Sequence, residues 1–286
     1  MKYRLQLLLC LLSISFTHAQ DLENSLLWKI SGNGLEQSSY LFGTIHITCD
    51  ATLEDKVKKA LDETTHLVLE LDADDPSLQT KMLAGMYMKD GKTLKDYTTE
   101  KEYAKIDSLF KERMGFSVEM INNVKPILIS AMFYPNFLNC DTPQSYEEEL
   151  MKVAKSQNEE VEGLETVEEQ LKIFDDIPYE EQVKDLIRSA NNDLEYDKKL
   201  FEKMYEIYEA EDIDAMLDMM NDDNYAAISN HQDEFLSSRN KKWIPKIGEF
   251  AKKEPTFFGV GAGHLAGKEG VIQLLRKAGY TVEAVE

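Results

Sequence analysis

Two histidines stand in matching surroundings. His46 follows the β-type run Ser39-Tyr40-Leu41-Phe42-Gly43 through Thr44-Ile45. His264 follows Thr256-Phe257-Phe258-Gly259-Val260 through the turn Gly261-Ala262-Gly263. Each closes a Gly-x-x-His motif placed just after a strand. Two carboxylates hold comparable positions: Glu70 lies near the end of His66-Leu67-Val68-Leu69-Glu70-Leu71, and Glu165 ends the β-like segment Glu160-Val161-Glu162-Gly163-Leu164-Glu165. Ligands of α/β sheets bind beyond the carboxyl ends of the strands, so parallel strands would open all four side chains onto one edge. Two imidazoles and two carboxylates suit zinc, manganese or cobalt, with a coordination position left for water. Such a metal brings the pKa of its water towards neutrality and yields a nucleophile for an amide or ester carbonyl. A carboxylate not used as ligand can take the proton. Gly43, Gly261 and Gly263 allow tight turns and close approach of substrate.

Each residue also has a plainer reading. A histidine after a strand is commonly a hydrogen-bonded loop residue, Glu70 can be a salt-bridged strand end, and Glu165 can cap a helix beginning near Thr166. His66 and His231 lack the glycine context and read as structural or surface residues. Arg239 and Asn240 precede Trp243; on those residues alone a surface ion pair is simpler than a clamp on an anionic intermediate. The acidic runs Glu147-Glu148-Glu149, Glu159-Glu160 and Asp222-Asp223 read as solvated helix faces. No P-loop, dinucleotide fingerprint, His-Glu-x-x-His or Gly-x-Ser-x-Gly occurs, which disfavours nucleotide enzymes, zincins and ordinary serine esterases.

The elements that must position these groups repeat at the two ends of the chain. After His46 comes a loop with Cys49 and Asp50, then Thr52 as N-cap of a helix with Leu53, Val57, Ala60 and Leu61 on one face, then the strand His66–Leu71. After His264, Val271, Leu274, Leu275 and Ala278 line a helix that Gly279 stops, and residues 280–285 return as a strand. Between the units, residues 102–114, 146–156, 178–204 and 213–219 read as helices. The expected fold is α/β, with a central mixed sheet built from both strand-Gly-x-x-His-helix-strand units and a large, mainly helical insertion at roughly 75–255. Residues 20–286 are expected to form a single domain; a separately folded helical middle is the alternative.

Residues 1–19 stand apart. Lys2 and Arg4 precede an apolar run over residues 5–16 that ends at Thr17-His18-Ala19, the pattern of a cleavable secretory signal; the run is too short to span a membrane. The 286 residues carry 53 acidic against 32 basic side chains, a net −21, and loss of Lys2 and Arg4 makes it −23. That excess excludes a general nucleic-acid or anionic-membrane binder. Export allows Cys49 and Cys140 to pair; two free buried thiols are the alternative.

Leu26-Leu27-Trp28-Lys29-Ile30, Ser39 to His46, Leu67-Val68-Leu69-Glu70, Gly163-Leu164-Glu165-Thr166, Arg239-Asn240 with Trp243, and Gly261-Ala262-Gly263-His264-Leu265 with Gly267 resemble, in order, the TraB/GumN family, which includes the TIKI metalloproteases and PrgY. The resemblance covers nearly all of the chain beyond the signal. It implies a fold related to erythromycin esterases and ChaN-like haem-binding proteins, and a manganese- or cobalt-dependent peptidase acting on peptide or protein substrates. It also implies His46, Glu70 and His264 as metal ligands, Glu165 as acid/base or further ligand, and Arg239 as polariser; a Cys49–Cys140 bridge, with Cys49 close after His46, would pin the His46 loop. The expected function is an exported, periplasmic or secreted, metal-dependent hydrolase. The alternatives are a haem-, metal- or peptide-binding protein without turnover and a metal-free esterase-like hydrolase.

Overall fold

A computed structural model describes residues 22–221 and 226–286. The expected signal segment lies outside the described residues, as does Asp222-Asp223. Six strands, Leu27–Gly32 (β1), Ser39–Thr44 (β2), His66–Leu71 (β3), Glu160–Glu165 (β4), Thr256–Gly261 (β5) and Tyr280–Ala284 (β6), form one mixed sheet in the order β4-β3-β5-β2-β1-β6. The pairs β2/β5, β5/β3 and β3/β4 are parallel, whereas β1 runs antiparallel to both β2 and β6. The two terminal units interleave, because β5 of the C-terminal unit lies between β2 and β3 of the N-terminal one. Their ladders run to Thr44↔Gly261 and Leu71↔Glu165, so four carboxyl ends line one edge.

Helices cover both faces, as near-continuous burial along β2, β3 and β5 requires. One core includes Trp28, Leu41, Leu67, Phe257, Phe258, Trp243 and Leu275. A second, including Phe110, Ile129, Phe133, Leu186 and Phe201, belongs to the helical insertion. The antiparallel strand β1 was not among the expected strands, although Leu27, Trp28 and Ile30 are fully buried.

Two local expectations change, and one helix is new. Thr52 is not the N-cap of the first helix, which runs Asp55–Asp62 after Glu54; its N–H donates to Asp50 Oδ1 at 2.9 Å instead. The expected helix over 178–204 is two, Tyr179–Asn191 and Glu195–Glu209, because Asp193 (φ 56°) and Leu194 (φ 64°) turn the chain between them. A long helix, Ser238–Lys253, was not foreseen; Pro245 inside it lacks the N–H that an intrahelical bond needs. Gly279 does end the helix Val271–Lys277, with φ 98°.

The loop after β2 is fastened to the segment before the helix Tyr146–Gln157. Cys49 and Cys140, 91 residues apart, form a disulfide with Cα atoms 5.7 Å apart. Beside it, Thr48 and Gln144 exchange backbone hydrogen bonds of 2.9 and 2.8 Å, and Ala51 N donates to Gln144 Oε1 at 3.0 Å. Closing so long a loop removes entropy from the unfolded chain worth about 4.6 kcal/mol. The Cys49→Ser/Cys140→Ser variant is expected to lose about 2–4 kcal/mol in urea unfolding; an unchanged midpoint would show that the bridge adds nothing.

Candidate functional site

The parallel edge gathers all five residues singled out from the sequence. His46 stands two residues beyond β2 and His264 three beyond β5, while Glu70 and Glu165 lie in the last turns of the pleat of β3 and β4. Gly43 has an ordinary backbone, but a Cβ there would meet Leu265 Cδ1 at 2.7 Å and Ala262 Cα at 3.2 Å. Its missing side chain lets the two histidine turns pack together. Gly261 and Gly263 also lack positive φ, so close approach rather than turn geometry explains them.

Arg239 is the centre of the inner half, not the surface residue that its neighbours in sequence suggested. It is 8% exposed. Its Nη2 donates to Glu70 Oε2 and Glu165 Oε1, each at 2.5 Å, and its Nε reaches both Glu165 oxygens at 3.1 Å. Nη1 donates to the Phe235 carbonyl at 3.0 Å and lies 2.9 Å from His264 Nε2. The guanidinium also lies 4.8 Å from the Trp243 ring, one helical turn on. Gln170, in the first turn of the helix Val167–Asp176, places Nε2 at 3.2 Å from Glu70 Oε2 and from Glu165 Oε1. That helix starts on a Thr166–Glu169 capping box, so Thr166 rather than Glu165 is the cap.

Asn240 sets the His264 tautomer. Its Nδ2 donates to the carbonyls of Glu269 and His264 at 2.8 and 3.4 Å, which turns Oδ1 towards His264 Nδ1 at 2.6 Å. Nδ1 therefore carries the hydrogen, and Nε2 offers its lone pair to Arg239. Trp243 packs on the imidazole with ring centres 4.5 Å apart.

The outer half is His46, an exposed side chain whose Nδ1 lies 2.8 Å from Glu147 Oε1. Thr44 donates to the same oxygen at 2.7 Å and Ser145 to the other at 2.6 Å. Glu147 occupies the first turn of the helix Tyr146–Gln157, where a carboxylate is favoured by the helix dipole. In the sequence, Glu147 sits in an acidic run that reads as a solvated face. The signal that could have found it was Cys140: if Cys49 pairs there, the residues seven beyond Cys140 come to the loop of His46.

Electrostatics separate the two histidines. The Glu147 hydrogen bond outweighs desolvation and pushes His46 up from 6.5 to about 9. Burial pushes His264 down to about 3, against the pull of Glu70 and helped by the Arg239 and His46 charges, so it is neutral at physiological pH. Burial opposes ionisation of Glu70, yet its neighbours His264, Arg239 and His46, with the Gly261 N–H at 2.8 Å, hold it down to about 2. With His264 neutral, the permanent cation among them is Arg239. Burial likewise opposes the Arg239 charge, and Glu70 and Glu165 restore it.

The expected ligands border the space beside Gly261. A Cβ on that residue would lie 3.3 Å from Glu70 Oε1, 3.7 Å from His264 Cδ2 and 3.9 Å from His46 Nε2. His46 and Glu70 fit a divalent cation: Nε2 faces this space with a carboxylate behind Nδ1, as metal-bound imidazoles have, and Glu70 is ionised with a further lone pair on Oε1. His264 Nε2 is held by Arg239 at 2.9 Å and stands 3.7 Å from Glu70 Oε1, and the ligand atoms of His46, Glu70 and His264 do not all lie within 4.8 Å of one another, so a shared ion requires Arg239 to release Nε2 and the three side chains to draw together.

The fold and this edge define an α/β protein with a polar site across the carboxyl ends of four parallel strands. The TraB/PrgY/gumN family model matches residues 26–284, and the chain belongs to that family. It is similar to the metalloprotease TIKI homolog of Amphimedon queenslandica, at 24% identity over 320 residues, covering 91% of this chain and 61% of that protein. The chain thus spans about three fifths of that relative's length. No solved structure matches it.

Two outcomes follow from the charge arrangement. By NMR titration, His46 is expected to change protonation near 9, and Glu147→Gln to bring it back towards 6.5; titration near 6.5 in the unaltered protein would contradict this. Arg239→Met leaves two buried carboxylates unpaired and is expected to cost about 3–5 kcal/mol at neutral pH. Because the Glu70 carboxyl is held down, its stabilisation is complete above 4.5 and lost as pH falls through about 2. The gap between the variant and the original protein in denaturant melts should therefore narrow over that window; a gap independent of pH would count against the pairing.

Proposed function

We propose that this chain is an exported metal-dependent hydrolase of peptide or protein amides, its site spanning the carboxyl edge of the sheet within one domain of residues 20–286. The observation that carries the reading is the convergence of His46 Nε2, Glu70 Oε1 and the His264 ring around the space left by Gly261. The metalloprotease relative supports a metal and a peptide substrate. The apolar run before Ala19 supports export, and no helix among the described residues is long and apolar enough to cross a membrane.

In this reading His46, Glu70 and His264 hold manganese, cobalt or zinc. When bound, the ion supplies Lewis acidity towards a carbonyl and lowers the pKa of water. Glu147 fixes the His46 ring by accepting at Nδ1, so that Nε2 is the ligand atom once the ring is neutral. Glu165, held at both oxygens by Arg239, is the acid/base group, able to hold a proton when the guanidinium turns away. Arg239 has N–H groups at the centre of the site and can turn them onto a developing oxyanion.

A second reading rests on Arg239 itself. A permanent cation already joins Glu70, Glu165 and His264, and a metal-free hydrolase could use it as the electrophilic group, with protonated His46 as the acid.

The test is hydrolysis of a peptide library by the chain from residue 20 onward, with manganese or cobalt and with chelator. The proposal expects turnover that chelator abolishes and that His46→Ala lowers by about 100-fold or more. Turnover indifferent to chelator supports the metal-free reading. Absence of turnover with a Soret band on adding haem would replace both with a binding protein.

A further inference from the structure

The opposite end of the same two strands carries a cluster that the edge site does not use. His66 opens β3, and Glu160 and Glu162 lie at the start of β4, paired through His66↔Glu160 and Val68↔Glu162. Side chains at these alternate positions point to one face of the sheet. Their donor atoms lie within 4.8 Å of one another.

His66 is the unusual member. It is 1% exposed, and neither ring nitrogen has a hydrogen-bond partner. Nε2 nonetheless stands 2.9 Å from Glu162 Oε2, and Nδ1 stands 3.7 Å from Glu254 Oε1. Phe250 packs edge-on against the ring at 5.3 Å. A buried imidazole without a hydrogen bond is costly. A nitrogen and a carboxylate oxygen close together but not aligned for N–H donation suit two ligands on one ion, which lie on the order of 3 Å apart when each is about 2.1 Å from the metal. Glu160 is exposed and Glu162 half-buried, so an ion can enter from solvent at the sheet's edge strand.

We propose that His66, Glu160 and Glu162 bind a first-row divalent cation of the zinc type at the amino edge of β3 and β4. One imidazole and two carboxylates are a borderline donor set with room for water. The ion clips edge strand β4 onto β3, and these strands carry Glu165 and Glu70 at their far ends. His66 and Glu70 are four residues apart, about 13 Å along the strand, so this ion is separate from any bound at the carboxyl edge.

Zinc titration calorimetry on the chain from residue 20 onward tests it, comparing the unaltered protein, Glu160→Gln/Glu162→Gln, Glu162→Gln alone and His46→Ala. The expected result is a zinc-binding event that His46→Ala retains, that Glu162→Gln weakens at least tenfold and that the double variant loses. Zinc should also raise the melting temperature of the unaltered protein and of His46→Ala but not of the double variant. Equal zinc binding by the unaltered protein and the double variant, or no event surviving in His46→Ala, overturns the proposal. Peptide hydrolysis is not read in this experiment, so its outcome is independent of the edge-site reading.

Discussion

A buried guanidinium holds the site together. Arg239 brings one positive charge among Glu70, Glu165 and the lone pair of His264, and each partner comes from a different strand or turn. A buried charge is tolerated only when it is paired and hydrogen-bonded. The helix Ser238–Lys253 must therefore lie where Arg239 can reach the carboxyl ends of β3 and β4. That placement also brings Trp243 and Asn240 onto His264, which fixes its tautomer and excludes water from it. The same contacts keep His264 neutral and Glu70 ionised.

The site consequently has two halves with different character. The inner half is dry, neutral at its histidine and held by Arg239. The outer half is the exposed His46, backed by Glu147 and brought to it by the Cys49–Cys140 bridge and the Thr48–Gln144 pair. Gly261 lies between the halves, and its missing side chain leaves them a common space. The inner half supplies fixed charge and the outer half access from solvent.

Much of this was legible in the residues themselves. Apolar runs ending in Gly-x-x-His or near a glutamate marked β2, β3 and β5, because strands covered on both faces leave an unbroken apolar signature, whereas the edge strand β4 showed only a short β-like alternation with Glu160 and Glu162 in it. Parallel pairing then followed the expectation and put His46, Glu70, Glu165 and His264 on one edge. The strand β1 escaped notice because Lys29 and Ser31 interrupt a run of only six residues. Glu147 was hidden in a run of three glutamates, where only long-range pairing through Cys140 distinguishes the one that turns inward. The burial of Arg239 was hidden in the same way: Pro245 obscured its helix, and the carboxylates that neutralise it lie 74 and 169 residues away.

In the proposed reading, the space beside Gly261 takes a divalent cation between His46 and Glu70. Crystals grown with manganese and measured for anomalous scattering test it most directly. An anomalous peak is expected within ligand distance of His46 Nε2 and Glu70 Oε1, with Arg239 withdrawn from His264 Nε2. No peak there, with Arg239 still bonded to His264, would contradict it.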